Sequence, residues 1–150
     1  MNLRRTAVSL SIAALAVLGV AAPASAATPA VTFTKIQYNS PGTDSRTNTS
    51  LNAEWVRITN NTSKALPLKN WTLRDKSNHV LKLPAYTLQA KKSAWIHTGK
   101  GTQNKPADNL YWQSGSYIWN NDGDTATLKN TAGKTIDTCS WKAGTAPTNC

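Results

Sequence analysis

The side chains able to do chemistry in this 150-residue chain are few and scattered. Glu54 is the single glutamate, set beside Trp55, and six aspartates accompany it. Glycoside hydrolysis needs two carboxylates at a fixed separation, one acting as acid and one as base or nucleophile. Nothing in the spacing of the aspartates singles out a partner for Glu54, so it reads as a paired or hydrogen-bonded structural carboxylate. His79 and His97 fall inside strand-like runs, with no second histidine or carboxylate at ligand spacing, and read as structural. No G-x-S-x-G or H-E-x-x-H occurs. The expectation is a protein that is not an enzyme and carries no cofactor and no metal. A small secreted hydrolase, glycosidase or nuclease, is the alternative from another class.

Two loops carry residue types that could bind an ion. His97-Thr98-Gly99-Lys100-Gly101-Thr102 resembles a phosphate loop but lacks its first glycine, since residue 94 is Ala, and Gly follows Lys100 where Ser or Thr belongs. It reads as a strand-end turn, with a backbone-amide nest for an anion as the other option. Asn120-Asn121-Asp122-Gly123-Asp124 is rich in oxygen ligands. Calcium takes six to eight oxygens, and only Asp122 and Asp124 are charged here, so a glycine turn with Asx hydrogen bonds is the preferred reading.

The charge balance says more. Lys and Arg number 17 against 7 Asp and Glu, giving +10 at pH 7. The lysines are spread along the chain and do not form a run. They serve either solubility or a diffuse field for a polyanion, such as anionic cell-surface polymer or extracellular nucleic acid. Candidate contacts are Lys91, Lys92, Lys100 and Lys105, with Tyr111 and Trp112 as stacking rings. Tyr117-Ile118-Trp119 is a second aromatic pair of this kind. The alternative is that these rings sit in the core.

The elements that must position these residues follow a period of two. Val31–Tyr38, Glu54–Thr59, Trp71–Arg74, His79–Leu83, Ser93–His97, Thr125–Lys129 and Thr135–Thr138 alternate apolar and polar side chains, with Val56 and Ile58 sharing one face. Pro41-Gly42, Asn60–Ser63, Lys69-Asn70, Lys76–Asn78, Asp122-Gly123 and Ala132-Gly133 supply turns between them. No capped amphipathic helix is visible. The expected class is an all-β sandwich or barrel.

Residues 1–26 read as a signal peptide. Arg4-Arg5 form a basic start, residues 7–22 an uncharged apolar run, and Ala24-Ser25-Ala26 a cleavage site. The run is short for a membrane span and Pro23 breaks it. General secretion fits better than the twin-arginine route. Cleavage removes two arginines, so the net charge falls from +10 to +8. The expected product is secreted, unanchored and monomeric. It comprises a short linker (27–30), a β-sandwich domain (31–142) and a tail (143–150). Cys139 and Cys150 are the only cysteines. In an oxidising compartment they are expected to pair, tying the tail back onto the last strand and adding roughly 3 kcal/mol.

Several segments together resemble the lamin tail domain family in its secreted bacterial branch. These are Glu54-Trp55-Val56-Arg57-Ile58-Thr59-Asn60, Leu68–Asp75, His97–Gly101, Trp119–Leu128 and Thr135-Ile136-Asp137, in family order. The resemblance implies an immunoglobulin-like β-sandwich and a non-catalytic domain for interaction or attachment; taken with the basic charge, the expected partner is an anionic cell-surface polymer, extracellular nucleic acid or another protein. A purely structural surface protein is the alternative. It also implies structural roles for Glu54, Trp55, Trp71, Asp75, Trp119, Asn120, Gly123 and Asp124, with Trp55 and Trp71 as packing residues. The chain has no heptad region and no prenylation motif, so filament assembly and nuclear function do not carry over.

Overall fold

Each predicted alternating run becomes a strand, because β-branched and aromatic side chains pack well on a half-buried pleated surface. The computed structural model describes residues 27–150; the signal-peptide reading falls on residues outside them. In chain order the elements are β1 (Val31–Gln37), α1 (Asn48–Asn52), β2 (Trp55–Asn60), β3 (Leu66–Pro67), β4 (Thr72–Arg74), β5 (Val80–Lys82) and β6 (Thr87–Leu88). They continue as β7 (Ser93–His97), β8 (Asn109–Tyr111), β9 (Gly123–Lys129), β10 (Thr135–Lys142) and β11 (Thr148–Asn149).

A five-stranded sheet has the order β11-β1-β2-β7-β8, a four-stranded sheet the order β10-β9-β4-β5, and β3 pairs with β6. All pairings are antiparallel except β7 with β8. The two larger sheets stack as an immunoglobulin-like sandwich. From the first sheet Val31, Phe33, Ile36, Val56, Ile58, Ala94, Ile96 and Leu110 point inward. Leu73, Leu81, Ala126, Leu128, Cys139 and Trp141 meet them from the second. The core is continuous, and burial of its side chains supplies the main driving force for folding.

The cysteines do form a disulfide, with their Cα atoms 5.6 Å apart. Its reach is wider than a tether to the last strand. Cys139 lies on β10 in one sheet, while Cys150 follows β11, which pairs with β1 in the other sheet through Ile36–Thr148 and Lys35–Asn149. The bridge therefore links the two layers and seats a short strand against the edge of β1, which would otherwise present unpaired backbone groups.

The irregular segment before β2 holds one short helix, α1, that the sequence reading did not place. Thr47 caps it, its Oγ1 accepting from the Ser50 amide at 3.3 Å, and Leu51 buries against the body of the domain. Asn48 and Asn52 on α1 hold the backbone of Lys100, which fixes the loop after β7.

Candidate functional site

Five of the seven acids act as acceptors within the fold, while Asp44 and Asp122 are exposed. Glu54 is 1% exposed, and both its oxygens are engaged. Oε2 accepts from the Thr98 hydroxyl and the Ile118 amide (3.1 Å), and Oε1 accepts from the Trp119 amide (3.2 Å). Burial pushes its pKa from 4.5 up to about 7, against the lowering effect of these donors. A cavity of about 280 Å³ brings Asp44 and Asp122 near Glu54. With every Glu54 oxygen satisfied from within, that carboxyl ties β2 to the segment before β9 and is not free to serve a reaction.

Four aspartates follow the same rule. Asp75 is buried, its Oδ1 accepting from the His79 amide and its Oδ2 facing His79 Nδ1, each at 2.7 Å. This corrects the expectation that neither histidine has a carboxylate at ligand spacing: the β4–β5 turn brings Asp75 and His79 together. Asp124 is buried and accepts from the Lys76, Asn120 and Thr125 amides. It closes the Asn120–Asp124 turn internally, and among the described residues no acid or histidine cluster could hold a metal ion. Asp137 accepts from the Phe33 amide across the sandwich, at 2.7 Å. Asp108 accepts from the Tyr86 hydroxyl, and burial together with that carboxylate raises the pKa of the phenol.

One consequence reaches the surface. Among the described residues the one acid–base contact within 4 Å joins Asp75 to His79, and no lysine or arginine forms a salt bridge. Most lysines are exposed, and none lies within 4 Å of a carboxylate, although Lys76 and Lys142 share a pocket with Asp122 and Asp124.

The candidate contacts from the sequence do not converge. Lys91 and Lys92 are exposed in the turn before β7, where the Lys91 amine also reaches the Asn61 carbonyl. Lys100 is exposed beyond the other end of β7, and Lys105 lies in the following loop. Five strand residues separate the two groups, roughly 17 Å at about 3.3 Å per residue. The amide nest is likewise absent from the loop at Lys100. Its amide donates to Asn48 Oδ1 at 2.7 Å, and the Gly101 amide to Gln113 Oε1 at 3.2 Å.

Tyr111 and Trp112 do not offer an exposed platform. Tyr111 is 9% exposed, stacked on His97 with ring centroids 5.3 Å apart, and its hydroxyl donates to the Lys105 carbonyl. Trp112 packs against the core and meets Trp119 edge-on at 5.7 Å. Trp119 in turn meets Trp141, which stacks on Tyr38. This run of rings fills one end of the sandwich, where apolar area and aromatic geometry both stabilise it. The second aromatic pair loses its platform for the same reason, since Trp119 is 2% exposed.

The residues that sequence reasoning missed lie on the two outer sheet faces. On the five-stranded sheet Trp55, Arg57 and Thr59 alternate with the buried Val56, Ile58 and Asn60. Ser93, Trp95 and His97 alternate with the buried Ala94 and Ile96. The register sets Trp95 opposite Arg57, Arg57 opposite Lys35, and Trp55 opposite His97. Trp55 is therefore not a core packing residue; it sits half-buried on the solvent side. Trp71, by contrast, does pack against the core. On the four-stranded sheet Arg74, Lys82, Lys129 and Lys142 take outward positions among threonines, with Thr72 opposite both Lys82 and Lys129.

Residues 24–143 match the family model described as Lamin Tail Domain. The chain belongs to the lamin tail domain family. That family is a non-catalytic immunoglobulin-like domain, in agreement with the sandwich seen here. None of the curated proteins matches the chain. In this lamin tail domain the segments that carry the family pattern are those that hold Glu54, Asp75 and Asp124 inside. Their carboxylates fix turns and strand ends. No helix among the described residues is long and apolar enough to cross a membrane.

Proposed function

We propose that the chain is an exported, monomeric interaction module that engages a polyanion through its surface cations, as a member of the secreted bacterial branch of its family. The observation that carries this is the one-sided use of charge. Five of the seven acids act as internal acceptors for backbone and side-chain donors, and no lysine or arginine among the described residues has a carboxylate within 4 Å. A solvated surface of that kind produces a positive field with little internal cancellation, and the field attracts phosphate- or carboxylate-bearing polymers. The signal-like residues 1–26 and the interlayer disulfide support an oxidising, extracytoplasmic setting. The non-catalytic family and the internally satisfied Glu54 support binding without turnover.

The test is a pull-down with purified mature protein, residues 27–150, against cell envelope and nucleic acid at about 50 and about 200 mM salt. Capture at the lower salt and release at the higher is the expected result. No capture at low salt would leave a purely structural surface protein as the better reading.

A further inference from the structure

We propose that the outer face of the five-stranded sheet, centred on Trp55, Arg57 and Trp95, is a stacking surface for single-stranded nucleic acid. The proposal rests on the polyanion reading above and narrows it to one face and one ligand class.

The face is unusual in three respects. Trp55 and Trp95 are half-buried on the solvent side of the sheet, and neither belongs to the rings that pack against the core. A tryptophan on a solvated sheet face leaves apolar area in contact with water unless something covers it. Their strands are neighbours, and the register makes the two rings diagonal partners, since Trp55 faces His97 and Trp95 faces Arg57. Diagonal partners lie about 7–8 Å apart, close enough for both to contact one extended chain. Third, the cations are interleaved with the rings: Arg57 lies between Trp95 and Lys35 in the register. Thr34 Oγ1 accepts from Arg57 Nε at 2.8 Å, which holds the guanidinium in place.

Charge complementarity selects the occupant. The five strands of this sheet contain no Asp or Glu. The acids nearest to them in sequence, Glu54 and Asp108, point their carboxylates at inner partners. The face thus offers two rings and two cations, about one charge per stacking surface. A single strand presents the same alternation of base and phosphate, and sheet-borne aromatics that stack two or three bases are a known way of holding it. A duplex hides its bases and would leave both indoles unused.

The test measures binding of mature protein to a labelled oligothymidylate of about 12 nucleotides, to the same strand in a duplex with oligoadenylate, and to polygalacturonate. The single strand is expected to bind more tightly than the duplex and to quench tryptophan emission. Trp55→Ala with Trp95→Ala should weaken it roughly ten-fold or more. Phe at both positions should restore most of the affinity, and Arg57→Gln should flatten the salt dependence by about one phosphate contact. If the folded alanine variant still binds the strand like the parent in a salt-dependent way, the face is not the site and only this proposal falls. If polygalacturonate binds more tightly and through the same tryptophans, the ligand is an acidic glycan and the proposal is overturned. If no polyanion binds at low salt, the broader reading fails with it.

Discussion

Glu54 shows how one residue can be costly and still be held. Three donors converge on its carboxylate, while burial from water works against the charge and raises the pKa to about 7. The folded-state value lies above the unfolded one, so the folded protein binds the extra proton between them. Stability from this group is greatest below about pH 4.5 and falls by roughly 3 kcal/mol as the pH rises through 7. Because it is the only glutamate, a chain labelled at glutamate gives one carboxyl carbon signal, and that signal should titrate near pH 7. A midpoint close to 4.5 would mean that the donors fully offset burial, contrary to this account. Glu54→Gln keeps one acceptor but sets an NH2 against a backbone donor, and should cost about 1–3 kcal/mol in chemical denaturation. Trp55 adds a different point at this scale. The alternation that puts Val56 and Ile58 on one face already puts Trp55 on the other, with Arg57 and Thr59. Reading it as a packing residue came from the family pattern, and the strand period was the better guide.

At the scale of elements, the long strands were legible because four or more alternating residues carry a period. Short elements such as β3, β6, β8 and β11 have two or three residues each and so carry none. Their positions follow from tertiary pairing, as with β11, which exists because the disulfide and β1 hold it. Removing the bridge with Cys139→Ser and Cys150→Ser should lower stability by about 3 kcal/mol, and hydrogen exchange should show the loss spreading to the β1 edge. The loop after β7 was legible as a turn, whereas its support from α1 was not, since five helical residues leave no amphipathic signature. In that loop a side chain at Gly101 would overlap the Tyr111 ring, which itself stacks on His97. Gly101→Ala should therefore cost about 1–3 kcal/mol in thermal or denaturant unfolding, while Gly133→Ala, where nothing lies nearby, should cost only what its backbone conformation demands.

At the scale of the molecule, composition gave the sign of the surface but not its layout. Scarce acids were visible in the sequence. That most of them serve as internal acceptors, leaving the cations without a salt bridge, depends on contacts between residues far apart in the chain, such as Asp137 with Phe33. The four lysines singled out by sequence are split between the two ends of β7. Cations spaced two residues apart on neighbouring strands, such as Arg74, Lys82 and Lys129, form the compact groups instead. Uncancelled charge of this kind is what should bind polyanions. The most direct measurement is the affinity of mature protein for a nucleic-acid strand across a salt series. Several contacts should give a log–log slope of about −0.7 per neutralised phosphate, hence a steep loss between about 50 and 200 mM salt. A flat slope, or no binding at the lowest salt, would contradict it.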